Sequence, residues 1–158
     1  MPTKHKICSP EELSERIASW RKEDDTIIFT NGCFDLMHLG HIDYLEKAKQ
    51  LGNRLIVGVN SDKSVEELKG IGRPINTAYA RMRLLAALEF VDMVISFNET
   101  TPTLLIAQVR PDVLVKGKDY EIGNIVGADF VLQIGGRVET IELIEGYSTT
   151  KIIKKIST

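Results

Sequence analysis

Two of the chain's three histidines, His38 and His41, stand three residues apart in the run Thr30-Asn31-Gly32-Cys33-Phe34-Asp35-Leu36-Met37-His38-Leu39-Gly40-His41. Three residues make one helical step, so at the start of a helix both imidazoles share a face. There the unpaired backbone N–H groups and the helix dipole favour an anion, and imidazole N–H donors add directed hydrogen bonds to phosphate oxygens. Gly40 keeps a side chain out of the path of a phosphate or base. Gly32 is expected to let the turn ahead of the helix present its amides as a nest. The chemistry indicated is the binding of a nucleoside triphosphate. The plainer alternative is a pair of surface histidines or an adventitious metal site; their place directly behind a strand and a glycine turn speaks against it.

Three further groups fit the same chemistry. Ser148, Thr149 and Thr150 follow Glu145-Gly146-Tyr147 and open a C-terminal amphipathic segment. Hydroxyls and free amides at a helix start suit the outer phosphates of a triphosphate, although Ser and Thr are also ordinary N-caps. Lys69 and Arg73 lie in a glycine-interrupted stretch and Arg81 on the helix after it. Such cations are expected to converge on a cleft where negative charge spreads during phosphoryl transfer; a solvated basic loop is the alternative. In Val115-Lys116-Gly117-Lys118-Asp119-Tyr120, Gly117 permits close backbone approach, Lys116 can neutralise a phosphate and Asp119 can accept from a sugar hydroxyl. A charged turn closing a strand would read the same way.

The elements that must hold these groups follow from hydrophobic period. Residues 10–22 place Leu13, Ile17 and Trp20 on one face behind a Ser9-Pro10 start, which predicts a helix. Residues 26–30 form a short apolar strand that ends at the Asn31-Gly32 turn signal, and 38–51 repeat apolar residues at helical spacing up to a Gly52 stop. The continuous apolar run 54–60 reads as a strand buried on both faces. Residues 61–76 read as a polar surface connection with at most a helical turn at 64–68. Helices over 77–90, 102–109, 127–135 and 148–156 then alternate with strands over 92–96, 112–115 and 138–143. This alternation predicts an α/β, Rossmann-like, doubly wound parallel sheet in a single domain over 1–158, with 1–25 as an N-terminal helical extension. Ligands in such sheets bind beyond the strand C-terminal ends, and that is where the loops with the unusual residues fall.

Composition narrows the function classes. A chain of 158 residues with 43% hydrophobic and 27% charged residues has the balance of a globular domain, which excludes disorder. Twenty Lys and Arg against 22 Asp and Glu leave a net charge of -2, without the positive field that grips nucleic acid. No apolar run is long enough to cross a bilayer or to act as a signal peptide, so no membrane partner and a cytoplasmic location are expected. Cys8 and Cys33 have no metal-type spacing and are expected as thiols, with Cys33 packing against the sheet. Asp62, after the second strand, is expected at most to cap a short helix, with no catalytic role.

The run "TNGCFDLMHLGH" resembles the HxGH signature of the nucleotidyltransferase superfamily, and within it the adenylyltransferases that act on heptose 1-phosphate in lipopolysaccharide precursor synthesis. The segment "STTKI" is similar to that family's second signature, and "ARMRLLAALEFVDMVIS" to its arginine-bearing helix and following strand. The glycerol-3-phosphate cytidylyltransferases are the next relatives. The resemblance implies transfer of AMP from ATP to a sugar 1-phosphate with release of pyrophosphate, and Mg2+ carried on the ATP phosphates. It implies His38, His41, Arg81 and Lys69 as catalytic residues. Thr30, Asn31, Gly32, Cys33, Phe34, Gly40, Lys116, Gly117 and Ser148 to Thr150 would bind the nucleotide; Asp35, Arg73, Lys118 and Asp119 would bind the acceptor. Lys118 departs from the heptose enzymes' "VKGGDY", where a glycine stands. A homo-oligomer is expected from the family, and a separate sugar kinase, or else a different acceptor, because 158 residues have no room for a kinase. A CTP-using enzyme, a class I aminoacyl-tRNA synthetase and a non-catalytic nucleotide sensor are the rival readings; shortness and acidity weigh against the synthetase.

Overall fold

The uninterrupted apolar runs have the composition of strands buried on both faces, and the computed structural model, which describes residues 2–158, sets them side by side. The strands β1 (Ile27–Gly32), β2 (Arg54–Asn60), β3 (Met93–Phe97), β4 (Val113–Gly117) and β5 (Arg137–Ile141) form one parallel sheet in the order β3-β2-β1-β4-β5. The helices are α1 (Pro10–Lys22), α2 (Leu39–Lys49), α3 (Asp62–Lys69), α4 (Ala78–Ala86), α5 (Thr103–Val109), α6 (Ala128–Gln133) and α7 (Thr149–Ile156). Alternate strand residues feed opposite cores. Ile27, Phe29, Ile56 and Leu114 pack with residues of α1, α5 and α6 on one face, while Ile28, Leu55, Val57 and Val113 pack with Tyr44, Leu45 and Ala48 of α2 and Leu85 and Ala86 of α4 on the other. The chain winds outward from β1 to β3, then returns to place β4 on β1's free side. The switch point of this doubly wound sheet therefore lies between the ends of β1 and β4.

Several expected boundaries move, each for a local reason. The N-terminal helix is no appendage: α1 buries Leu13 and Ile17 in the first core, and the Cys8 amide donates to the Val94 oxygen at 2.8 Å. Strand β1 does not stop at Thr30, because Asn31 and Gly32 continue the pairing opposite Gly58 and Val59. The stretch after β2 forms a full helix, α3, since the Ser61 hydroxyl accepts from the Ser64 amide and Val65 is fully buried; Gly70 at φ 97 ends it. Helix α4 ends at Ala86, short of the expected 90, and β5 ends at Ile141, short of 143. Two short 3-10 turns, Thr3–Lys6 and Ile122–Asn124, carried no period to reveal them.

Candidate active site

The turn out of β1 is made by Phe34, not by Gly32. Phe34 takes a left-handed φ of 47, unusual for a bulky residue, and folds its ring back to 3.0 Å from where a Cβ on Gly32 would stand. Gly32 thus makes room for the Phe34 ring. The turn delivers the chain to α2, whose N-cap is His38. The His38 and His41 rings stack with centroids 3.9 Å apart and planes 25° apart, and Phe34 covers His41 at 5.3 Å. The His38 amide donates to His41 Nδ1 at 3.3 Å, which places the His41 proton on Nε2. Gly40 has a related steric duty: a Cβ there would meet the His38 ring at 3.0 Å and Tyr147 at 3.4 Å.

Burial keeps both imidazoles neutral at physiological pH. Desolvation, with the neighbouring His38 adding to it, pulls His41 down to about 4; desolvation alone lowers His38. Neutral rings act here as hydrogen-bond donors and acceptors and bring no charge. His38 Nδ1 and Asn31 Oδ1 are both buried and, among the described residues, unpartnered.

The two rings open onto a cleft of about 610 Å³ over the switch point. Asn31, Gly32, Cys33, Phe34, Asp35, His38, Gly40 and His41 line it from the β1 side, as do Lys116, Gly117 and Asp119 from β4, Lys69 and Arg73 from the segment after β2, and Ser148 to Thr150 from α7. Helix α7 is tied to the histidine turn, since the Thr149 hydroxyl donates to the Leu36 oxygen at 3.1 Å. Ser148 caps α7 by accepting from the Lys151 amide at 3.0 Å. With those two engaged, Thr150 is the hydroxyl of the three that has no protein partner among the described residues.

Four expected ligand contacts have other work. Arg81 is fully buried and outside the cleft lining. Its guanidinium donates to the oxygens of Asn76, Cys33 and Asn60 and to Asp62 Oδ1, at 3.0, 2.6, 2.8 and 2.8 Å, so it ties three loop origins together and does not face a triphosphate. Asp35 touches the cleft, but its carboxylate is consumed by Arg73 Nε at 2.7 Å and by the amides of Ile75 and Asn76. Burial opposes ionisation of Asp35, yet those two amides and the Arg73 guanidinium outweigh it and hold the carboxyl below its usual range. It therefore latches the 73–76 loop onto the histidine turn and is not free for a sugar. Thr30 is buried, its hydroxyl bonded at 2.8 Å to that of Tyr44, which donates onward to the Val115 oxygen. Lys118 points away from the cleft toward Glu142 at 3.7 Å.

Other residues line the cleft without having announced themselves. Tyr120, Ile125, Val126, Leu143, Ile144 and Tyr147 form an apolar, partly aromatic wall at the β4–β5 end. Asn60, Thr100 and Thr101 join Lys69 and Arg73 at the β2–β3 end, which is polar and cationic. Tyr147 lies nearly parallel to His38 with centroids 6.4 Å apart. Asn60, Thr100, Thr101, Tyr120 and Tyr147 fall in the segments after strand ends, where the doubly wound layout puts ligands, whereas Ile125 and Val126 are brought in by long-range packing.

A doubly wound sheet with stacked histidines at its switch point and a hydroxyl-rich helix start beside them is a nucleotidyltransferase fold. A family model described as cytidylyltransferase-like matches residues 29–155, and the chain belongs to that family. It is 52% identical over 150 residues to a "Bifunctional protein HldE" of Koribacter versatilis and 55% identical over 150 residues to that of Pseudomonas fluorescens strain SBW25. Both alignments take in 95% of this chain and 31% and 32% of those proteins, so the chain spans about a third of the length of the curated relatives it matches. Among solved structures, a lipopolysaccharide core biosynthesis protein from Thermoplasma volcanium superposes with a TM-score of 0.62 at 28% identity, covering 78% of this chain and 99% of that one. A pantoate-beta-alanine ligase from Francisella tularensis, at 15% identity and a TM-score of 0.58 over 96% of this chain and 76% of its own, shares the fold alone.

Proposed function

We propose that the chain is an adenylyltransferase that joins a heptose 1-phosphate to the α-phosphate of ATP, giving ADP-heptose and pyrophosphate for lipopolysaccharide core synthesis. The observation that carries this reading is the stacked, neutral His38–His41 pair at the switch point. The relatives named HldE and the motif resemblance to heptose 1-phosphate adenylyltransferases supply the substrate class. The acceptor's phosphate oxygen is already anionic at neutral pH, so the reaction needs no general base. What it needs is two polyanions held in line and donors aimed at the α-phosphoryl oxygens. His41 Nε2–H and His38 are those donors. Thr150, the Ser148 hydroxyl proton and the α7 amides hold the outer phosphates. The apolar wall at the β4–β5 end suits a flat base, and Lys69, Arg73 and the Thr100 and Thr101 hydroxyls suit a phosphorylated polyol at the other end.

Among the described residues no cluster of three His, Cys, Asp or Glu could hold a metal, and the Asp35 carboxylate is fully engaged. The donor set thus does not fit a resident Mg2+; the ion belongs to the reading as part of a MgATP substrate, and no step is routed through it. A sugar kinase reaction must precede this one to make the 1-phosphate. The deciding experiment crosses ATP and CTP with heptose 1-phosphate and glycerol 3-phosphate and measures pyrophosphate. Release with ATP and heptose 1-phosphate alone is expected. Release with CTP and glycerol 3-phosphate would make the chain a cytidylyltransferase, and nucleotide binding without release would make it a sensor.

A further inference from the structure

One cation of the cleft floor is held unlike the others. Lys116 leaves β4 beside the end of β1, half-buried, and its ammonium donates one hydrogen bond, to the Asn31 main-chain oxygen at 3.3 Å. The Tyr120 ring lies 5.7 Å from it. Arg73 has Asp35 for a counter-charge, and Lys69 stands in solvent at the cleft mouth; Lys116 forms no ion pair among the described residues. The groups facing it from each side are few. From the β1 turn comes the Cys33 thiol, which burial pushes up and so keeps protonated. From the turn after β4 come the Tyr120 phenol and the Asp119 carboxylate, whose Oδ1 sits 2.6 Å from where a Cβ on Gly117 would stand. From α2, Tyr44 directs its hydroxyl to Val115 and Thr30, away from the ammonium. Two of the three ammonium N–H groups therefore remain to donate into the cleft, at the point where β1 and its histidine turn meet the floor.

We propose that Lys116 is the residue that matches the charge of the phosphoryl group bound over the end of β1, taking up a proton from solvent as the nucleotide's phosphate arrives and returning it as the anion leaves. This rests on the nucleotide-transfer reading above and adds a charge-matching residue to it. Desolvation pulls the Lys116 pKa down to about 8, although the nearby Asp119 carboxylate acts the other way. Above that pH the free protein holds the amine mostly neutral. A phosphate oxygen within hydrogen-bond reach restores the preference for the ammonium, since opposite charge at that distance raises such a pKa by roughly 1–3 units. At pH 8.5 the difference amounts to about 0.7 proton per bound nucleotide. The histidines do not contribute at that pH, because burial keeps both neutral.

The test is calorimetric titration of the full chain with MgATP at pH 8.5 in two buffers of different ionisation enthalpy. Wild type should take up about 0.7 proton per nucleotide. Lys116→Arg should bind within about threefold of wild type with no uptake, because guanidinium stays protonated throughout. Lys116→Met should show no uptake and bind at least about tenfold more weakly, the scale of one lost charge-assisted hydrogen bond. ATP binding and pyrophosphate release without proton uptake in wild type would overturn this inference and leave the transferase reading standing, as would uptake that persists in both variants. Failure of wild type to bind ATP at all would overturn both.

Discussion

Replacing Arg81 by methionine separates two roles that a cleft-side arginine can have. Its guanidinium donates four hydrogen bonds: to Cys33 at the exit of β1, to Asn60 at the end of β2, to Asn76 in the loop before α4, and to the Asp62 carboxylate of α3. Methionine refills much of the volume but leaves three main-chain oxygens without this donor. Hydrogen bonds to a charged group contribute about 1.5–3 kcal/mol each, and a polar atom left buried without a partner costs about 1–3 kcal/mol. The Asp62 side chain is 51% exposed, so water replaces its lost partner cheaply and that bond counts for little. Lost independently, the three main-chain bonds would come to about 4–9 kcal/mol; because one guanidinium shares them, the loss is about 3–5 kcal/mol, the range for removing one member of a buried polar network. For a chain of this length that corresponds to a fall of roughly 10 °C in melting temperature. Thermal denaturation followed by circular dichroism reads it directly, and nucleotide binding measured well below the transition should weaken, because the histidine turn and the 70–77 loop lose their common anchor. The conservative substitution Arg81→Lys should recover less than half the loss, since one ammonium cannot serve carbonyls spread around a planar fork. An Arg81→Met protein that melts within about 2 °C of wild type yet has lost turnover would return Arg81 to direct ligand contact and refute the anchoring account.

Four other substitutions, at three positions, probe the histidine turn and its latch. His41→Ala should lower turnover about 10²-fold or more, the scale for losing one transition-state donor, with the far-ultraviolet spectrum unchanged. Near-normal kcat would remove His41 from the chemistry. The same residue carries a pH signature: its folded pKa of about 4 lies below the usual 6.5, so the unfolded chain binds a proton first as pH falls. Its contribution to stability is intact above pH 6.5 and is lost progressively down to 4, and His41→Gln should flatten the melting curve's pH dependence across that window. Gly40→Ala should lower kcat about tenfold with little change in melting temperature, because the new Cβ would press on the His38 ring at 3.0 Å and displace a donor without disturbing the core. Asp35→Ala should release the 73–76 loop, seen as faster tryptic cleavage after Lys69 under native conditions; an unchanged cleavage rate would show that Asp35 is not the latch.

The alternation of buried strands and amphipathic helices was legible because each period lies within ten or so residues and each strand run is apolar throughout. The histidine pair was legible for the same reason: its spacing, its glycine and its place behind a strand are local facts. What resisted reading depends on partners distant in the chain. Arg81 and Lys116 are both basic residues near strand ends, and residue type alone made both look like phosphate ligands. The packing separates them. Arg81 meets the carbonyls of Cys33 and Asn60, residues 48 and 21 positions away, and is saturated by them. Lys116 meets a single carbonyl, 85 positions away, and keeps donors to spare. The glycines show the same limit from the other side. Gly40 leaves the opening a ligand would need, but the protein's own His38 ring borders that space, as the Phe34 ring borders the space beside Gly32, so a missing side chain in a motif marks close approach without saying by what. It follows that a site in a doubly wound sheet is best delimited by asking which polar groups at the switch point remain unsatisfied once the protein's own bonds are counted. Among the described residues these include His38 Nδ1, Asn31 Oδ1, the Thr150 hydroxyl and the free N–H groups of Lys116, and they belong to residues that line one cleft.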